Sequence, residues 1–175
     1  DMNKTLKKII LPVLSESTIG IQKIMRVHNE EGNPMTRKQL SECISGVIES
    51  KMVKVASNIG ITIEAPKKDS EPDIMLEYKP LEIKTTCSIK WRGGAYSKRE
   101  SDYLMIKYDI IDGEFYWFVL HKYLKENDWI GGDVENKDNN YYATTIRLNE
   151  MLDGDILVGD KEKKTTLWHP TLERV

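Results

Sequence analysis

Cysteine is scarce in this sequence. The 175 residues include only two, Cys43 and Cys87, and they form no CxxC pair. A disulfide framework is therefore not expected. We expect both side chains to be buried free thiols, and a disulfide between them is the alternative. The three histidines are scattered along the chain, so the ligand spacing of a zinc site is missing as well.

Long apolar runs are also absent. No stretch approaches the roughly 20 apolar residues that cross a bilayer, and no charged-then-apolar leader opens the chain. We therefore expect a cytoplasmic protein. The net charge is −2, from 26 basic and 28 acidic residues, so any case for nucleic-acid binding has to be local.

Apolar residues recur at helical spacing in two N-terminal segments. The first covers residues 2–29, where Pro12 predicts a kink or a split. The second begins after Thr36, a predicted N-cap with Gln39 at the capping-box position, and ends at Gly60.

The rest of the chain has the alternating pattern of strands. A hairpin is predicted from 73–78 and 81–86, and a second one has Asp112-Gly113 as its turn. Polar loops are predicted over 90–101 and 126–140. The fold class is therefore α+β, with N-terminal helices followed by a mixed, mostly antiparallel sheet.

We expect one domain, because 175 residues is close to the usual size of one. Its helical part covers 1–60, its central sheet covers 61–125, and further strands and loops cover 126–175.

The first predicted hairpin carries unexpected charge. Asp73, Glu82 and Lys84 lie in strands that are otherwise apolar, where unpaired charge costs several kcal/mol. If the turn is an even-numbered loop such as Tyr78-Lys79, all three side chains share one face. Lys84 then lies opposite Asp73 and Glu82 lies diagonal to it, with Cβ separations of roughly 5 to 8 Å. A turn one residue longer or shorter would move Asp73 to the other face.

Two carboxylates at that separation repel each other, and a hard divalent cation relieves the repulsion. Mg²⁺ takes oxygen ligands and commonly one or two carboxylates. Such an ion activates water and neutralises charge in phosphoryl transfer. Lys84 beside it is placed to hold or deprotonate a water, or to stabilise developing negative charge. The alternative is an edge hairpin with an ordinary cross-strand ion pair.

The spacing of these residues resembles the motif of the PD-(D/E)XK nuclease superfamily. The matching residues are Pro72-Asp73 and, nine residues after Asp73, Glu82-Ile83-Lys84. The segment that follows, WRGGAYSKRESDYLMI, is similar in style to type II restriction endonucleases. The resemblance extends over residues 37–120.

This resemblance implies a restriction-endonuclease-like fold and hydrolysis of DNA phosphodiester bonds. It implies that Asp73, Glu82 and the backbone carbonyl of Ile83 bind Mg²⁺, with Lys84 as the catalytic lysine. Many members of the superfamily add an acidic residue from the preceding helix. Glu49, at the polar border of the second helix, and Glu42 are the candidates, and a solvated glutamate is the alternative for either.

An ExK triplet alone is not specific, because this chain contains five. Four lie on a helix, across a turn or in polar loops, and one lies in an apolar strand behind a strand that opens with Pro-Asp. The five triplets are Glu49 to Lys51, Glu77 to Lys79, Glu82 to Lys84, Glu135 to Lys137 and Glu162 to Lys164.

The stretch after this motif is locally basic. Between Ile83 and Arg99 there are five basic residues and no acid, and side chains of this kind pair with phosphates or read guanine. Two further polar residues there are suited to phosphate contact. The alternative is a solvated loop. The predicted DNA-binding residues are Lys90, Arg92, Tyr96, Ser97, Lys98 and Arg99.

Together these features predict a Mg²⁺-dependent DNA endonuclease, specifically a type II restriction enzyme. Cleavage of both strands by a chain with one catalytic centre implies a homodimer on double-stranded DNA. The alternatives are a repair or recombination nuclease, such as a Holliday-junction resolvase, and a non-catalytic DNA-binding protein.

Overall fold

The computed structural model describes residues 1–68, 71–93, 100–129, 135–136, 141–142, 144–151 and 153–159. Two helices come first, α1 at Met2–Glu30 and α2 at Arg37–Asn58. The strands that follow are β1 Ile63–Glu64, β2 Ile74–Leu76, β3 Lys79–Thr86, β4 Lys90–Gly93, β5 Ser101–Ile111, β6 Glu114–Leu124, β7 Glu135–Asn136, β8 Tyr141–Tyr142, β9 Thr144–Arg147 and β10 Asp155–Val158. Glu126–Asp128 forms a 3₁₀ turn, and a short helix, α3, covers Leu148–Met151.

Within the described residues, the main sheet has six strands in the order β1-β2-β3-β5-β6-β10. Neighbours pair antiparallel except β3 and β5, which are parallel. The expected α+β class, with N-terminal helices before a mixed, mostly antiparallel sheet, is confirmed. None of the helices within the described ranges combines the length and apolar character needed to cross a bilayer.

The ends of α2 follow the sequence signals. Gln39 N donates to Thr36 Oγ1 at 3.2 Å and Thr36 N donates to Gln39 Oε1 at 2.9 Å, which completes the capping box. Gly60 takes a left-handed φ of 79° just past the helix, and its N–H donates to Ser57 O at 3.1 Å. Both predicted boundaries are confirmed.

Pro12 does not split the first helix, because α1 continues on both sides of it. Buried side chains on either side of Pro12, Ile9 and Val13 among them, pack against the sheet. Trp117 Nε1 also donates to Thr18 Oγ1 at 3.0 Å, which ties the middle of α1 to β6. Tertiary packing therefore maintains the helix through the proline.

Side chains pack on both faces of the main sheet. One face, with Leu81 and Ile83 of β3, packs against α1 and α2. The other face, with Tyr103 and Met105 of β5, packs against β4, β9 and α3 through Trp91 and other buried residues. The main sheet therefore lies between a helical layer and a smaller β-ribbon layer.

Two hairpin turns were predicted. Asp112-Gly113 does connect β5 and β6, with both residues at positive φ. The turn between β2 and β3 lies at Glu77-Tyr78, not Tyr78-Lys79, with φ of 49° and 66°. Glu77 is held from outside the hairpin, because its N–H donates to Thr62 O at 2.8 Å and its Oε1 accepts from Thr5 Oγ1 at 2.6 Å.

The two predicted loops contain strands. The loop predicted over 90–101 begins with β4, which pairs antiparallel with β9, and Trp91 lies opposite Ile146. Within 126–140, the 3₁₀ turn is followed by β7, which pairs with β8. Both loop predictions were wrong in these parts, because β4 pairs with β9 far along the chain and β7 pairs with the nearby β8. Residues 94–99, 130–134 and 137–140 lie outside the described residues.

Candidate active site

Asp73 lies immediately before β2 and contacts the middle of β3. Its Oδ2 accepts a hydrogen bond from the Ile83 N–H at 2.9 Å. Because the N–H and C=O of one strand residue point to the same side of the strand, the Ile83 carbonyl faces the side on which Asp73 lies. Asp73 and the Ile83 carbonyl, which were both predicted to bind a metal, therefore lie on the same side of β3.

The hairpin register differs from the expected one by two residues. Ile74 pairs with Leu81, so one step further Asp73 lies opposite Glu82 and diagonal to Lys84. Opposite residues have Cβ atoms about 4.5–5.5 Å apart and diagonal ones about 7–8 Å apart. Because the shift is even, all three residues still belong to one face. In the observed register the two carboxylates lie closer together than in the predicted one, and Lys84 lies farther from Asp73.

The face that carries Glu82 and Lys84 is partly shielded from water. Their register partners on β5 are Tyr103 and Met105, both fully buried. Glu82 and Lys84 are themselves half-buried, and Oε1 of Glu82 is buried. Charges in such surroundings interact more strongly than in bulk water, which favours a cation next to the carboxylates.

The predicted additional acid, Glu49, is brought to this site by polar contacts along α2. The hydroxyls of Ser45 and Thr85 share a hydrogen bond of 2.9 Å, which fixes α2 against β3. Glu49 follows Ser45 by one helical turn on the same side of α2. Burial and the nearby Asp73 carboxylate raise the pKa of Glu49 to about 7, while Lys67 acts in the opposite direction.

The raised pKa of Glu49 predicts how the free energy of unfolding depends on pH. Between pH 4.5 and about 7 the folded protein keeps a proton on Glu49 that the unfolded chain releases, so stability falls as the pH rises through this window. Glu49→Gln should remove that loss and stabilise the metal-free protein at pH 8 by on the order of 1 kcal/mol, a value discounted for partial exposure. Urea unfolding at pH 5 and pH 8 measures the difference.

The matched control is Glu42→Gln, an exposed glutamate on the same helix. It should leave the pH dependence of the wild type intact. If Glu49→Gln also behaves like the wild type at both pH values, burial and the charge of Asp73 do not raise the pKa of Glu49 in solution.

The donors at this site suit Mg²⁺. Asp73, Glu82 and the Ile83 carbonyl offer hard oxygen donors of the kind that Mg²⁺ binds, and Mg²⁺ commonly keeps several water ligands. Among the residues that the structure describes, no three His, Cys, Asp or Glu side chains form a metal-binding group. A set of two carboxylates and one carbonyl does not require such a group. Burial is the main cause of the raised pKa of Glu49, and the part that comes from the Asp73 carboxylate is a repulsion that a cation would relieve.

Two of the predicted DNA-binding residues, Lys90 and Arg92, lie on β4. Trp91 between them is buried and its Nε1 donates to Ile106 O at 3.0 Å. Because side chains alternate along a strand, Lys90 and Arg92 both point away from the face that Trp91 buries. The other four, Tyr96, Ser97, Lys98 and Arg99, lie outside the described residues.

The structure adds residues that the sequence interpretation missed. Lys67 lines a cleft of about 580 Å³ together with Glu49, and Arg37 and Lys38 line another cleft near the end of β3. The sequence contains a signal for Arg37 and Lys38. They follow the N-cap directly, where acidic residues suit the helix dipole and basic residues do not.

Comparison of the sequence with protein-family models and with curated proteins finds no match. Function is therefore inferred from the chemistry of the site. That site combines two opposed carboxylates, a strand carbonyl and a lysine on one hairpin, with a further glutamate supplied by α2.

Proposed function

We propose that this protein is a Mg²⁺-dependent endonuclease that hydrolyses DNA phosphodiester bonds, and that it is a type II restriction enzyme of the PD-(D/E)XK superfamily with a restriction-endonuclease-like fold. One observation carries the proposal. Asp73 is hydrogen-bonded to the backbone of Ile83, inside the Glu82-Ile83-Lys84 triplet and opposite its glutamate. The oxygen donors and the lysine of the motif therefore belong to the same short part of the hairpin.

Each residue has a distinct role in this proposal. Asp73, Glu82 and the Ile83 carbonyl would hold Mg²⁺, which activates water and offsets the charge of the phosphoryl transition state. Lys84 orients or deprotonates the attacking water, or donates to the developing negative charge. Glu49 adds negative charge next to Asp73 and strengthens the attraction for a cation.

The proposal also includes a DNA-binding surface on β4 and a homodimer. Lys90 and Arg92 point outward from β4, in the ribbon layer that covers the face of Glu82 and Lys84. Basic side chains at that position are suited to DNA contact. One catalytic centre cuts one strand, so cleavage of both strands of a palindromic site requires a two-fold homodimer.

Digestion of a sequenced plasmid tests this function directly. Supercoiled plasmid is incubated with the protein and Mg²⁺, and a parallel reaction contains Ca²⁺ to block cleavage. Discrete fragments with common end sequences support a restriction enzyme, and their ends give the recognition site. Nicking restricted to four-way junctions in a second substrate would support a resolvase. Absence of cleavage in Mg²⁺, with retained DNA binding, would leave a binding protein.

A further inference from the structure

A groove runs along the edge of β3 beyond the hairpin. β2 accompanies β3 only as far as Leu81, whereas the ladder of β3 with β5 continues to Thr86. At the far end this edge opens into a cleft of about 620 Å³, with Thr85 and Thr86 in its lining. We call this cleft the edge groove. It begins one residue past Lys84, a distance of about 3.3 Å along a strand.

Among the described residues that line the edge groove, every charged side chain is basic. These side chains are Arg37 and Lys38 from α2 and Lys90 and Arg92 from β4. Two other clefts of similar volume differ. One combines Arg26 with glutamates, and the other combines Lys67 with Glu49. The described lining of the edge groove therefore favours an anion.

The β4 side of the groove is held in position before any ligand binds. The Ser88 N–H donates to Thr86 Oγ1 at 3.1 Å, and the Lys90 N–H donates to Ser88 Oγ at 3.3 Å. Ile89 O accepts from Leu148 N at 2.8 Å, which ties the same turn to α3. A fixed backbone lowers the entropic cost of ligand binding at Lys90.

On the opposite side, two cations occupy the first turn of α2, which contains no acidic residue. The positive end of the helix dipole disfavours cations at this position. An anion between the two sides would offset that repulsion. Along one DNA strand, consecutive phosphates are separated by a rise of about 3.4 Å along the duplex axis. A strand whose reacting phosphate lies at Asp73 and Glu82 would therefore carry its neighbouring phosphates over the edge groove.

We infer that the edge groove binds backbone phosphates of the DNA strand next to the cleaved bond, and that Arg37 and Lys38 of α2 contact them together with Lys90 and Arg92. This inference rests on the proposed nuclease function and extends it to a surface of α2. These contacts carry no base information, so they act on every DNA sequence alike.

The test is a salt titration of duplex binding in Ca²⁺, on cognate and scrambled DNA, for Arg37→Ala and Lys38→Ala. Each loss of a phosphate contact should lower the slope of log K against log salt by about 0.9 on both duplexes. Arg37→Lys should keep the wild-type slope, since lysine also binds phosphate. Matched controls are Arg26→Ala and Lys23→Ala, exposed basic residues on α1.

Folding of the variants does not obscure the result. Removing a cation from the first turn of α2 should leave the Tm unchanged or raise it. Wild-type slopes for both Arg37→Ala and Lys38→Ala, in a protein that cleaves plasmid in Mg²⁺, would overturn the phosphate site and leave the nuclease proposal intact. A wild-type protein that neither cleaves nor binds DNA would overturn both. Binding without cleavage, with reduced slopes, would support the phosphate site and reject the nuclease.

Discussion

Asp73→Asn should abolish DNA cleavage while leaving the hairpin folded. An asparagine oxygen still accepts the 2.9 Å hydrogen bond from the Ile83 N–H, but the negative charge for the metal is gone. A metal contributes several kcal/mol to such a reaction, so we expect a loss of about 10³-fold or more. Glu82→Gln should lose a comparable amount, and the alanine variants of both residues should be at least as impaired.

The measurement is the initial rate of plasmid cleavage in Mg²⁺, with duplex binding in Ca²⁺ measured alongside. DNA binding should survive both substitutions. Asp155→Asn is the matched control, because Asp155 is exposed on β10 at the other edge of the sheet. A rate within tenfold of the wild type for Asp73→Asn or Glu82→Gln would contradict the metal-binding roles.

Lys84→Ala should lose the chemical step but keep the metal. The side chain carries a positive charge and is not a ligand in our proposal. Proton transfer by a positioned side chain contributes about 10²–10⁴-fold, and we expect a rate loss in that range. Because alanine removes a cation near Glu82 and Asp73, Mn²⁺ affinity measured by calorimetry should stay equal or rise.

Lys79→Ala is the matched control for this variant. Lys79 begins the same strand and closes another ExK triplet, with Glu77, but it is exposed beside the turn. It should cleave at the wild-type rate. Loss of metal by Lys84→Ala as complete as that in Asp73→Ala would show that Lys84 holds the metal site together and would contradict its assigned role.

The edge groove would determine DNA affinity separately from the rate of cleavage. If the salt titrations support it, Arg37 and Lys38 would govern affinity for any DNA, while the carboxylates of the hairpin would govern the rate of hydrolysis. Variants of the two groups should then combine independently, since they affect separate steps. Recognition of a particular sequence would remain with base-contacting residues elsewhere, with Arg99 among the candidates.

Several features were predictable from sequence because short-range interactions determine them. The capping box of Thr36 and Gln39 and the left-handed Gly60 each involve residues within one or two helical turns. The Asp112-Gly113 turn depends on the conformational freedom of two adjacent residues. The shared face of Asp73, Glu82 and Lys84 follows from strand alternation once the turn has an even number of residues.

Other features depend on contacts between residues far apart in the chain, which no local pattern encodes. Thr5 of α1 and Thr62 hold Glu77, and the turn lies at Glu77-Tyr78 although neither residue favours positive φ. That choice places Asp73 opposite Glu82 instead of Lys84. For any turn with an even number of residues, the sequence alone puts the three residues on one face, because the alternation of side chains along a strand is local. Tertiary structure decided which of them lie opposite each other.

The same distinction applies to the surroundings of the site. The position of Glu49 near Asp73 depends on the Ser45–Thr85 contact between α2 and β3, and its raised pKa depends on burial that only the folded chain provides. The segment 90–93 becomes a strand because β9 supplies a backbone partner. Composition and spacing alone identified the carboxylates, the lysine and the basic stretch. Bringing α2 next to the hairpin and to β4 required the packed fold, because desolvation and long-range pairing exist only after the chain has folded.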